Sequence, residues 1–173
     1  MAKREIDRAV QQPLLDRLTD LEPAAGADPR VGFKESVRQL KASLQRDLDW
    51  LLNTRRVPMP PPEALEEVPR SVWLYGLPDI TALPRDASDT NATLLREVAA
   101  AIERFEPRLA NVRVTIVEGQ LKDESAARER RLRELRFLVE ATLIMDPSPE
   151  QVVFDTVLDK TSFEFEVKGA TGA

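Results

Sequence analysis

A chain of 173 residues with 42% hydrophobic and 32% charged content is long enough for one domain with its own core, burying roughly 70% of its unfolded surface. It has no cysteine and no histidine, which excludes disulfides, thiolate metal sites, Ser-His and Cys-His nucleophilic chemistry and the commonest zinc ligand; only carboxylates, lysines and hydroxyls remain as catalytic groups. A formal charge of −5 argues against a protein that coats nucleic acid, and no apolar run is long enough to span a bilayer.

The N-terminus, MAKREIDRAVQQ, is charged and has no apolar stretch behind it, which predicts a soluble, unexported, cytoplasmic protein. Leu14, Leu15 and Leu18 form a short amphipathic turn, followed by an Ala/Gly/Pro-rich stretch. Residues 1–35 therefore read as a docking segment and linker. From Ser36, the residues Val37, Leu40, Leu44, Leu48, Leu51 and Leu52 recur at steps of three and four, which predicts a helix starting at Ser36 and stopped by Val57-Pro58. Arg55 and Arg56 stand at its end, either as cations on the helix dipole or as partner contacts. Trp50 lies off the apolar stripe, as a second packing face or an interface anchor. Prolines 58, 60, 61, 62 and 69 make the next stretch an extended connection, with Glu63 to Val68 as at most one helical turn. The segment SVWLYGLPDI fits a brief strand or a buried irregular segment, with Tyr75-Gly76 as a tight turn packing against the helices.

A second helix starts near Asn91 or Thr93 and carries Leu94, Leu95, Val98, Ile102 and Phe105 on one face. The period then changes to two. Val112 to Ile116, Leu135 to Leu143, Val152 to Leu158 and Phe163 to Val167 alternate as four strands, a meander covered on one face by the helices: an α+β fold occupying 36–168, with 169–173 as a disordered tail. The charged interval from Gln120 to Leu135 reads as a solvated excursion or a partner-facing arm. Glu103 and Glu106 make a carboxylate pair, but 30 acids in the chain guarantee accidental pairs, so hydrolase chemistry has little support. No Gly-rich phosphate loop, metal cluster or nucleophile elbow is present, and no cofactor or small-molecule substrate is expected.

At the join of helix and first strand stand Glu106, Pro107 and Arg108. Proline ends the helix and fixes the backbone, leaving the two charges little freedom to collapse together. The tripeptide is either a helix stop with two surface charges or a preorganised pair facing a partner, in which Arg108 would bind a carboxylate.

Five segments, LLDRLTD (14–20), SLQRDLDWLLNTRR (43–56), SVWLYGLPDI (71–80), AIERFEPRLANVRVTI (101–116) and LRFLVEATLI (135–144), resemble in order and spacing the TssE family of type VI secretion baseplate subunits, relatives of the small wedge protein of phage T4-like baseplates. The resemblance covers the chain from about Leu14 to Val167. It implies a fold like the handshake portion of contractile sheath proteins and a non-enzymatic role in the baseplate near the bacterial inner membrane. The implied partners are TssF, TssG and TssK in the wedge and TssB/TssC in the sheath. The family's Glu-Pro-Arg motif falls on Glu106, Pro107 and Arg108 and is implied to anchor the subunit to the wedge core. A sheet edge would template sheath strands. The last strand, Ser162 to Lys168, is the expected edge because little chain follows to cover it, with Glu164 and Glu166 discouraging self-pairing. An adaptor of the same fold that binds a regulatory partner is the alternative, and a peptidoglycan hydrolase a third.

Overall fold

The computed structural model describes residues 9–20, 23–26, 31–60, 62, 64–68, 71–79, 88–117 and 133–172. Most of the charged interval 120–135 and parts of the N-terminal linker lie outside them. The element order is α1 (Leu14–Leu18), α2 (Phe33–Asn53), a 3-10 turn (Val72–Leu74), α3 (Ser88–Phe105), β1 (Leu109–Ile116), β2 (Glu134–Leu143), β3 (Glu150–Asp159) and β4 (Phe165–Gly172).

Helix α2 forms because Leu40, Leu44, Leu48, Leu51 and Leu52 fall on one side, and all five are buried. It begins at Phe33, three residues before Ser36, on Gly32 without a side-chain cap. Ser36 is a buried tie: its Oγ donates to the Phe33 carbonyl and accepts from Val10 N–H at 2.8 Å. The helix also ends earlier than the proline rule predicts, at Asn53, because Thr54 already turns extended and its carbonyl accepts from Leu77 N–H. Arg55 and Arg56 thus lie beyond the helix rather than in its last turn, in a short parallel bridge with Leu77. Helix α3 starts at Ser88, ahead of the expected Asn91, and buries Leu94, Val98, Ala101 and Ile102.

The four strands form an antiparallel meander in the order β1-β2-β3-β4. Alternation puts Leu135, Phe137, Val139, Ala141 and Leu143 of β2, Val152, Phe154 and Leu158 of β3, and Phe165 and Val167 of β4 on one buried face. Helix α2 lies against β4 and α3 against β1 on that face, closing one core. The opposite face carries half-buried Leu138, Val153 and Val157 beside an Arg136–Asp155 ion pair at 2.6 Å. β4 starts later than expected and runs on to Gly172, paired with Val152, so the positions expected as a tail are strand as far as 172.

The two edges differ. Hydrogen bonds around the β3–β4 turn orient Glu164 and Glu166 toward β3, so Phe165 and Val167 aim their peptide groups outward. Those groups are taken by side chains of α2. Asn53 Nδ2 donates to the Phe165 carbonyl at 2.9 Å and its Oδ1 accepts Phe165 N–H at 2.8 Å. Gln45 Nε2 donates to the Val167 carbonyl at 2.8 Å, and Asp49 accepts from Val167 N–H at 3.4 Å. The start of β4, expected to be the free edge, is therefore covered, because α2 lies along it. At β1, a bulge between Ala110 and Arg113 uses Asn111 at φ 54, a conformation asparagine tolerates better than most residues. Beyond the bulge, Arg113 and Thr115 pair with β2, while the peptide groups of Val114 and Ile116 face outward without a partner among the described residues.

Replacing Asn53 by alanine strips both capping groups from Phe165. We expect a loss of roughly 1–2 kcal/mol, or about 2–8 °C in melting temperature, together with new concentration-dependent association through the exposed strand. Thermal melts with light scattering check both parts.

Candidate functional site

The Glu106 turn follows from local chemistry. Proline at 107 ends α3 and sits at the second position of a four-residue turn closed by Leu109 N–H on the Glu106 carbonyl at 3.1 Å, where its fixed φ is already suitable. The turn brings the first and third residues together. Glu106 is 5% exposed, Pro107 is exposed, and Arg108 folds back: its Nε meets Glu106 Oε1 at 2.5 Å, its Nη2 meets Oε2, and its own N–H donates to Oε1 at 3.2 Å. This reverses the expectation that Pro107 holds the two charges apart; the turn that proline favours is what joins them.

The pair does not stand alone. Arg108 Nη2 also donates to Asp47 Oδ2 at 2.6 Å, Asp47 Oδ1 accepts from Arg46 at 3.0 Å, and Arg46 reaches both carboxylate oxygens of Asp16. The chain Asp16–Arg46–Asp47–Arg108–Glu106 ties α1, α2 and the α3–β1 turn together. Three carboxylates against two guanidinium groups leave it one net negative charge. Burial works against the Arg108 cation, but the hydrogen bonds and charges of Glu106 and Asp47 outweigh it and hold the guanidinium further above its ordinary range. With its Nε and Nη2 already engaged by two carboxylates, Arg108 is poorly placed to take a third from a partner.

Beside the network opens a concavity of about 370 Å³. Leu51 and Phe105 form its apolar lining, Pro13 and Pro107 its rim, and Asp47, Glu106 and Arg108 its polar wall. Tyr75 completes it, edge-on to Phe105 with ring centroids 5.2 Å apart. Burial first, then the Asp47 and Glu106 charges, raise the Tyr75 hydroxyl above its ordinary pKa. Gly76 behind it has φ 98 and lies so close to the Thr54 carbonyl that a side chain would overlap it. Tyr75-Gly76 is thus both a turn and a wall of the site.

Arg55 and Arg56 are placed apart from this cleft. Arg56 pairs with Glu97 of α3 at 3.3 Å, and Arg55 approaches Asp79 at 3.8 Å. Arg55 instead borders a second concavity of about 300 Å³ with Val57, Val72 and Trp73, separated from the first by Tyr75. Trp50 is 51% exposed and stacks under the Arg46 guanidinium at 5.1 Å, next to the network rather than in the core. Asp16, Arg46 and Asp47 lie within the segments LLDRLTD and SLQRDLDWLLNTRR but were not singled out there as site residues; Asp47 meets Arg108 across 61 residues of sequence, a distance no periodicity reports. Glu103 is exposed on α3 while Glu106 is buried in the clamp, so these two acids do not face each other across a cleft. No cluster of potential metal ligands occurs among the described residues, and no helix among them is long and apolar enough to cross a membrane.

A four-stranded meander with two helices on one face and a charge-clamped helix–strand turn beside an open cleft defines a small α+β protein. The sequence profile of the family described as baseplate wedge protein gp25 matches residues 38–148, and the chain belongs to this family, which is also that of TssE. The family is a structural component of baseplates. The match runs from α2 through β2 and contains the Glu106–Arg108 turn. It leaves out the LLDRLTD segment and the last two strands, so it is shorter than the resemblance read from Leu14 to Val167. Comparison with curated proteins and with solved structures gives no match.

Proposed function

We propose that this chain is a non-enzymatic, TssE-type subunit of a cytoplasmic type VI secretion baseplate, joining the wedge core to the contractile sheath. The observation that carries the reading is the Glu106–Arg108–Asp47 clamp, which fixes a solvent-open cleft at the motif by which the family is expected to hold its wedge. The cleft would receive TssF, TssG or TssK. Its net negative charge and apolar lining favour a partner's lysine or arginine, whose stem can lie on Tyr75 and Leu51, over the carboxylate expected from the motif alone. The outer edge of β1, which has no strand partner among the described residues, would accept a strand of TssB/TssC, in place of the covered start of β4.

Two substitutions separate these roles. Pro107→Tyr fills an exposed rim position; it is expected to weaken co-purification with TssF–TssG by about tenfold or more, while the melt falls by only roughly 1–4 °C from the lost turn proline. Val114→Pro removes an N–H that faces outward, so the internal ladder to β2 keeps its bonds while strand addition is blocked. Wedge binding should persist and sheath initiation should fail. Wedge binding that survives Pro107→Tyr, or sheath that initiates normally on Val114→Pro, removes the corresponding half of the proposal.

A further inference from the structure

Helix α1 is built the wrong way round for folding. Leu14, Leu15 and Leu18 share its outward side at 67%, 48% and 74% exposure, whereas Asp16 turns inward onto Arg46. A short surface helix ordinarily buries its leucines and leaves its carboxylate in water. Five residues are also far too few to hold a helix unaided, since isolated helices shorter than about 12–15 residues are marginal. The segment is fixed from outside instead. Asp16 is held by Arg46, Val10 N–H by Ser36 Oγ at 2.8 Å, and the Ser36 carbonyl accepts from Gln12 Nε2 at 2.8 Å, while Val10 packs on the core and Pro13 borders the cleft. The anchors are polar, and what they present is apolar. The same Arg46 guanidinium lies over exposed Trp50 at 5.1 Å.

We infer that α1 is a pre-ordered docking knob whose leucines enter an apolar groove on another protein of the assembly, with an acidic group on the groove's rim. Two observations select this occupant. A convex turn with three leucines, pressed against its own copy, covers far less than the roughly 800 Å² per partner that stable pairs bury, so self-association is a poor use of it. A concave groove wraps the turn and covers more, which is the usual way an apolar helical face is read by anchors at three- and four-residue steps, here Leu15 to Leu18 and Leu14 to Leu18. Arg17, exposed on the same helix, has no ion-pair partner among the described residues and supplies the charge that a groove carboxylate would meet. The knob lies outside residues 38–148, the part that the family profile matches. The inference rests on the proposed role as a wedge subunit and adds a second contact to the cleft.

The test compares wild type with the double variant Leu14→Ser, Leu18→Ser and with Arg17→Glu, in TssF–TssG co-purification and in sheath initiation, with thermal melts alongside. Because none of these side chains is buried, the melts should coincide. The leucine variant is expected to weaken one of the two assembly steps about tenfold, and Arg17→Glu by about threefold. Wild-type behaviour of the leucine variant in both assays overturns the inference. So does a wild-type dimer at micromolar concentration that the leucine variant loses, since the occupant would then be a second copy. If Pro107→Tyr loses the wedge while the leucine variant keeps both the wedge and sheath initiation, the cleft reading stands and the knob falls. Wild-type protein that binds no wedge component ends both.

Discussion

Arg108→Ala should lower the melting temperature by roughly 6–12 °C, the largest effect of any single charged residue, corresponding to about 3 kcal/mol. The reason is what is left behind. Glu106 is 5% exposed and accepts from Arg108 through both carboxylate oxygens, so alanine strands a buried charge with only the Arg108 backbone N–H as a donor. The estimate is at the low end for broken buried pairs because Arg108 keeps 26% of its side chain accessible. Arg108→Lys should fall between the two: it restores the charge but cannot fork onto Glu106 and Asp47 together. Replacing both partners, Glu106→Leu with Arg108→Met, should recover much of the stability, since no buried charge then remains unpaired. Binding should not recover with it, because the cleft loses its polar wall. Thermal melts and wedge co-purification on the three variants read the two consequences separately. A single-alanine variant that melts with wild type would mean Glu106 reaches water in solution, and the clamp would lose its structural role.

How much of this was legible depends on the range of the interaction. The strands could be read because each inner row alternates over several residues, as in Leu135, Phe137, Val139, Ala141 and Leu143, and the α2 stripe because it repeats at helical steps. Helix ends were less legible. Ser36 has the chemistry of a cap but is spent on Val10, and α2 stops before its proline because Thr54 is held by Leu77. The edges were not legible at all: Asn53 looks like an ordinary helix-end residue, and its partner Phe165 is 112 residues away. Within the site, Glu106, Pro107 and Arg108 were found, but their geometry was inverted. Proline at the second position of a turn, with a carboxylate before it, was the available signal that the first and third residues converge. The acids and base that complete the network, Asp16, Asp47 and Arg46, sit among many similar charges, and only the fold selects them.

Gly76→Ala is expected to cost about 3 kcal/mol or more, and to remove wedge binding even where the protein remains folded. Two costs combine. At φ 98 an alanine is strained, and its Cβ would overlap the Thr54 carbonyl, a backbone group that cannot swing aside as a long side chain can. That carbonyl accepts from Leu77 N–H at 2.9 Å, and Leu77 returns the pairing through its own carbonyl to Arg56 N–H at 2.9 Å, so moving it strains both bonds. Leu77 itself is 1% exposed and would be drawn from the core. The functional loss follows from the neighbour. Tyr75 forms the wall of the cleft through its contact with Phe105, and a displaced Arg55–Leu77 bridge carries the ring away from it. The distinguishing measurement is a titration with TssF–TssG well below the variant's melting temperature. Undiminished affinity there would show that the Tyr75 wall is not needed for recognition, and would move the contact toward Pro107 and the α1 side of the cleft.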